Sequence, residues 1–169
     1  MLAPLYGGSF SYTAVTTGQP TFNRVIQNGN AVPNTLSLIG TAVRYASTAF
    51  AVDQAGNYTV DSLSTTPALW DNYTILYRST FNPLNPLLNV IIANDDLVFI
   101  GRSGFTVNLA IGSYVLVTTG YTNGDAGTAA NTISGAGNIT STPEVGTMAM
   151  LGLGLILIGA KKLKRPLTT

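Results

Sequence analysis

Arg44-Tyr-Ala-Ser-Thr-Ala-Phe-Ala-Val52, the turn Gln54-Ala-Gly56 and Tyr58-Thr-Val-Asp-Ser-Leu63 form the stretch on which the fold depends. Apolar and small or polar residues alternate on both sides of the turn, the period of a strand with one buried face. Gln54-Ala-Gly-Asn-Tyr58 reads as a tight hairpin turn, which makes Phe50 and Tyr58 core residues or cross-strand partners. The pattern continues outward in both directions. Phe10-Ser-Tyr-Thr-Ala-Val15 precedes it, and Tyr73-Thr-Ile-Leu-Tyr77, Leu88-Asn-Val-Ile-Ile92, Phe105-Thr-Val-Asn-Leu109 and Tyr114-Val-Leu-Val-Thr-Thr119 follow. These runs are rich in the β-branched and aromatic residues that suit a pleated, half-buried surface. Turn chemistry separates them at Asn28-Gly-Asn30, Asn82-Pro-Leu-Asn-Pro86, Gly101-Arg-Ser-Gly104 and Asn123-Gly-Asp-Ala-Gly127. Seven or more short strands with no amphipathic helix and no repeat of fixed period predict an all-β sandwich or jelly roll over residues 1–140. Its expected core is Phe50, Tyr58, Trp70, Ile75, Tyr77, Ile91, Phe105, Leu109, Val115 and Val117. The single Trp70 is expected to anchor this core rather than to serve as a sugar platform.

Composition removes most catalytic classes. The chain has no His and no Cys, so neither a Ser-His-Asp triad nor a Cys-His pair can form, and zinc lacks its usual ligands. All three lysines, Lys161, Lys162 and Lys164, lie near the C-terminus with Arg165, leaving Arg24, Arg44, Arg78 and Arg102 as the cations of the body. A Ser-Lys dyad in the body is therefore excluded. So is the basic face a nucleic-acid binder needs. No Glu occurs before Glu144, and the Asp residues show no spacing that marks a glycosidase pair. These absences predict a protein that is not an enzyme.

At residue 141 the composition changes. Ser141-Thr-Pro-Glu144 leads into Val145–Ala160, a Gly- and Leu-rich run without charge, followed at once by Lys161-Lys-Leu-Lys-Arg165. As a helix, residues 145–160 would be roughly 24 Å long, near the minimum for a bilayer span when flanking lysines snorkel. The basic tail 161–165 would hold its end on the cytoplasmic side. Residues 141–169 are thus expected to be an anchor segment with one transmembrane helix. The order of Pro143-Glu144, apolar helix and basic cluster resembles the PEP-CTERM sorting signal, with Val145 where that family usually has a second proline. The resemblance implies that an exosortase is a partner, that Pro143 and Glu144 are recognition elements, and that an inner-membrane-anchored precursor becomes a cell-surface or matrix protein. Such a precursor also needs an export signal, and Met1-Leu-Ala-Pro-Leu-Tyr-Gly-Gly8 has neither a basic start nor a long apolar stretch.

The body carries a second resemblance. Gly56-Asn-Tyr-Thr-Val60, Trp70-Asp-Asn-Tyr-Thr-Ile-Leu-Tyr77, Asn94-Asp-Asp96, Gly104-Phe-Thr-Val-Asn-Leu109 and Gly112-Ser-Tyr-Val-Leu-Val117 together are similar to bacterial pre-peptidase C-terminal domains. Those domains are jelly-roll modules of secreted enzymes and surface proteins. The likeness implies a non-catalytic ectodomain that binds polysaccharide or proteins. A Ca²⁺-dependent carbohydrate-binding module is the alternative, and an accessory domain of a secreted hydrolase is a third.

One group of residues points to a ligand. Asp71, Asn94, Asp95 and Asp96 offer the hard oxygen donors that Ca²⁺ prefers. Asp95 and Asp96 would face opposite ways inside a strand but can meet one ion at a strand end. Solvated loop carboxylates are the plainer alternative, and no EF-hand spacing is present. Asn57-Tyr-Thr, Asn72-Tyr-Thr and Asn138-Ile-Thr match the glycosylation sequon, as expected by chance in a chain this rich in Asn and Thr.

Overall fold

Alternation becomes strands along the whole body. The computed structural model describes residues 7–142, and among them there is no helix. Ten strands follow in order: β1 (Gly8–Val15), β2 (Thr21–Phe22), β3 (Val43–Val52), β4 (Gly56–Thr66), β5 (Asn72–Arg78), β6 (Val90–Asn94), β7 (Arg102–Leu109), β8 (Gly112–Gly120), β9 (Thr128–Gly135) and β10 (Ile139–Ser141). They form two antiparallel sheets, β1-β9-β4-β7 and β10-β3-β8-β5-β6, with β2 added beside β3. The pairs β5·β6, β4·β7, β3·β8 and β1·β9 are nested. The chain is therefore one long antiparallel ribbon, and rolling it up adds the contacts β4·β9 and β5·β8. This is jelly-roll topology.

Two apolar clusters hold the layers. Between the sheets lie Phe50, Val52, Tyr58, Val60, Leu76, Ile92, Phe105, Leu109, Tyr114, Leu116 and Ile133. Burial alternates along β4 as expected for one inward face. β5 breaks that rule, because Asn72 through Tyr77 are all buried. Its second face, with Tyr73, Ile75 and Tyr77, packs under Phe22, Val25 and Val43, so the long segment between β1 and β3 covers the outside of the larger sheet. Of the expected core, Phe50, Tyr58, Trp70, Ile75, Tyr77, Phe105, Leu109, Val115 and Val117 are buried. Ile91 is only half-buried, packed against the edge of the inner cluster.

The stretch 44–63 has the predicted strands but not the predicted hairpin. β3 and β4 belong to different sheets, so the turn after Val52 carries the chain across the interlayer. Phe50 and Tyr58 are both fully buried and meet in one core as residues of facing sheets. Tyr58 Oη donates to Gln54 O at 2.8 Å and accepts from Gly137 N at 3.0 Å, which ties the crossover to the segment after β9. Two further departures are smaller. Only Gly101 of the predicted turn Gly101–Gly104 is a turn residue, since β7 begins at Arg102, and the strand expected at Leu88–Ile92 is shifted to Val90–Asn94. Strands β2, β9 and β10 lie outside the runs that the alternation predicts. Asn72 is fully buried, so its sequon offers no glycan acceptor. Pro143, Glu144, the apolar run 145–160 and Lys161, Lys162, Lys164 and Arg165 lie outside the described residues.

Candidate functional site: an acidic cluster where four loops meet

Strand register places four connections at one end of the sandwich. Val15 and Thr66 lie opposite Thr128, Asn72 lies opposite Gly120, and Leu63 opposite Arg102. The segments 16–42, 67–71, 95–101 and 121–127 therefore leave the sheets together. Hydrogen bonds fasten them. Arg24 Nε donates to Tyr121 O at 2.9 Å, Asp95 N to Gln27 Oε1 at 2.8 Å, Tyr121 N to Asp71 O at 2.9 Å and Ala42 N to Asn123 Oδ1 at 2.8 Å. Arg24 is the pin of this end. It is only 2% exposed, its Nη1 donates to Val25 O at 3.0 Å, and its guanidinium lies 4.2 Å from the Tyr73 ring centre and 4.7 Å from that of Tyr121. A buried guanidinium between two aromatic faces is a cation–π arrangement, and here two of its N–H groups also donate to carbonyls.

Around this pin, Asp71, Asp95 and Asp96 bring carboxylate oxygens to within 4.8 Å of one another. Asp71 comes from the segment before β5, while Asp95 and Asp96 follow β6, just past the strand end, where neighbouring side chains no longer alternate between faces. Asp71 and Asp95 are half-buried, and Asp96 is exposed. Burial, then the neighbouring carboxylates, push the Asp95 carboxyl up to about 7. Asp71 is raised as well, by burial first and then by Asp125 and Asp96. Arg24 pulls both the other way. Asp71 Oδ1 and Asp95 Oδ1 are buried and receive no hydrogen bond from other groups of the described residues, and the two carboxyls are hydrogen-bonded to each other. Asp125 is held by its own turn, its Oδ2 accepting from Thr122 N at 2.6 Å and Thr122 Oγ1 at 2.8 Å. Asn94 turns instead toward β7, where its Oδ1 accepts from Gly104 N at 3.3 Å. Of the four residues singled out in the sequence, the three aspartates converge and Asn94 has a structural partner of its own.

The surroundings are apolar and open. A cleft of about 270 Å³ lies beside Asp95, lined by Arg24, Ile26, Gln27, Leu38, Tyr73 and Tyr121 among others. The loop that carries Asp95 and Asp96 continues into Leu97-Val-Phe-Ile100, all exposed, Val98 by 73%. Arg24, Tyr121 and Asp125 carry no joint signal in the sequence because they come from loops far apart in the chain. The one available signal was an isolated Arg inside the apolar context Phe22-Asn-Arg-Val-Ile26.

No protein-family model matches the chain, and no curated protein matches it either. Among solved structures it is similar to the pre-peptidase C-terminal domain of a Bacillus anthracis collagenase, at 18% identity and a TM-score of 0.38, over 70% of this chain and 90% of that one. It is also similar to a CBM35 module from Cellvibrio japonicus, at 13% identity and a TM-score of 0.38, over 79% and 99% of the two chains. A cleaved adhesin domain of the Lys-gingipain of Porphyromonas gingivalis aligns at 12% identity and a TM-score of 0.38, over 82% and 99%. Scores at this level describe a loose likeness and carry nothing further about this chain.

Proposed function

We propose that the chain is an exported, non-catalytic surface protein. In this reading the loop end of its jelly roll binds a polysaccharide or a neighbouring protein, and an exosortase processes its C-terminal tail. One observation carries the binding half. Leu38, Ile39 and Leu97–Ile100 stand exposed beside three converging carboxylates, at the end where four loops meet. Exposed apolar side chains gathered at one end of a sandwich suit a contact site. Among the described residues the same end holds no His, Cys or Lys to act as nucleophile or base. The test is retention of the full chain on immobilised exopolysaccharide and surface proteins of the producing cell. Wild type should be retained, and a Val98→Ser, Phe99→Ser variant should not. Equal retention of both would remove the loop end from the function.

The sorting half rests on the sequence alone. Pro143 and Glu144 would be recognised by the exosortase, while Lys161, Lys162, Lys164 and Arg165 would keep the precursor at the inner membrane until processing releases it to the surface. Expression behind a working signal peptide should give a shift in mobility only in a host with the enzyme. Pro143→Ala with Glu144→Ala should abolish the shift. An intact tail in both hosts would leave the segment as a plain anchor.

Calcium is the second reading, favoured by three carboxylates with oxygens within 4.8 Å of one another, two of them with a buried oxygen. Asp71, Asp95 and Asp96 would hold the ion and relieve their mutual repulsion. Isothermal titration of wild type should show saturable Ca²⁺ binding that disappears in Asp95→Ala with Asp96→Ala. A flat wild-type titration would strike calcium and leave the binding surface standing.

A further inference from the structure

Beneath the loop end, the sandwich interior changes character. In the smaller sheet, Tyr12, Asn131, Ser62 and Ser103 are direct neighbours in one row across β1, β9, β4 and β7. In the facing sheet, Thr118, Thr74 and Asn94 make a row across β8, β5 and β6, with Asn72 one pleat nearer the loops. Ser62, Asn72, Thr74, Ser103, Thr118 and Asn131 are each 0–1% exposed. The rows touch in places. Asn131 Nδ2 donates to Thr118 Oγ1 at 3.2 Å, and Asn72 Nδ2 donates to Ser62 Oγ at 2.8 Å and Ser62 O at 3.0 Å.

These contacts leave a remainder. Asn72 Oδ1, Thr74 Oγ1, Ser103 Oγ and Asn131 Oδ1 are buried without a hydrogen-bond partner among the described residues, while the Tyr12 hydroxyl is within reach of Thr48 and Thr118. Packed sheets stand about 10 Å apart. Phe50, Tyr58, Leu76 and Tyr114 fill that gap in the apolar half, but Ser and Thr side chains cannot span it. We infer that this polar belt holds ordered water molecules between the two sheets. The inventory fits water and little else. Two of the orphan atoms are amide oxygens that only accept, and two are hydroxyls that donate and accept. A water supplies both functions. No side chain of the belt carries a charge to pair with an ion. A buried polar atom without a partner also costs more than immobilising a water does. The belt is chemically unlike the acidic cluster, and the inference stands whether or not that cluster binds anything.

The sign of a stability change tests it. In a dry belt, Thr74→Val with Ser103→Ala removes two unsatisfied hydroxyls and raises the melting temperature of the full chain. In a wet belt the same pair strips water of its partners and lowers it, by roughly 3–6 °C for a chain of this size. A melting temperature that is unchanged or higher overturns the inference. A second measurement needs no variant. Wild-type protein should show NMR cross-peaks between long-lived water and the Thr74 and Thr118 methyl groups, and their absence overturns it equally.

Discussion

Asp71 and Asp95 reach the same place from different loops, with carboxylate oxygens within 4.8 Å and the two carboxyls hydrogen-bonded to each other. Both carboxyls are raised, Asp95 to about 7 from the ordinary 3.8. The native state then holds protons that the unfolded chain has already released. Stability should therefore be greatest below the ordinary value and fall as pH rises from there toward 7. In chelator-treated buffer, urea unfolding midpoints of wild type should decline across that window. Asp95→Asn should flatten the decline and raise the midpoint on its neutral side. A midpoint that rises with pH in wild type would contradict the cluster as described.

Trp70 is the only tryptophan, and its Nε1 donates to Thr128 O at 2.9 Å. Gly127 sits against this ring, where an added Cβ would come within 2.7 Å of Cδ1 and Nε1 and closer still to Thr66 O. Gly127→Ala should therefore push the indole outward. Intrinsic fluorescence is a direct readout, and the emission maximum should move to longer wavelength with a lower thermal midpoint. An unmoved spectrum would mean that the loop yields instead of the ring.

Leu76 is fully buried at the centre of the inner cluster, between Leu116 and Ile92 on the neighbouring strands. Leu76→Ala should lower unfolding free energy by about 2–5 kcal/mol, the lost transfer energy plus the cavity left behind. Chemical denaturation of both proteins measures it.

Arg24→Lys keeps the charge and loses the fork. An ammonium cannot reproduce the bonds to Tyr121 O and Val25 O while lying flat between two tyrosine rings. A loss of about 1–3 kcal/mol is expected from the carbonyls left unmet. Proteolysis should cut first in segments 16–42 and 121–127, which this residue joins.

Alternation told which residues face inward but not which strand lies alongside. That is why the pattern marks Phe50 and Tyr58 as core residues yet suggests one hairpin for strands that lie in different sheets. β9 was invisible for a different reason. Its inward residues are Ala129, Asn131 and Ile133, and Ala and Asn are poor strand formers. Asn131 reads as polar because it serves the belt between the sheets, a role that only the facing Thr118 reveals. At the acidic end, Asp95-Asp96 was legible as a local pair, and Asp71 as part of a recognisable run. Arg24 and Asp125 depend on loop closure, which no local pattern records.

The rolled ribbon also sets an order in time. β5 and β6 are separated only by Ser79–Asn89, and each outer pair must close a longer loop around them, with the entropic cost growing slowly with length. The last of these, β1 on β9, joins Ser11 to Thr132 across 121 residues. β9 pairs with β4 as well, so the smaller sheet cannot be assembled until Gly135 has left the ribosome. Contacts this distant place folding in the slow range of roughly milliseconds to seconds. A nascent chain therefore holds β1 and β4 without their shared partner until β9 has been made, a wait of more than a hundred residues for β1.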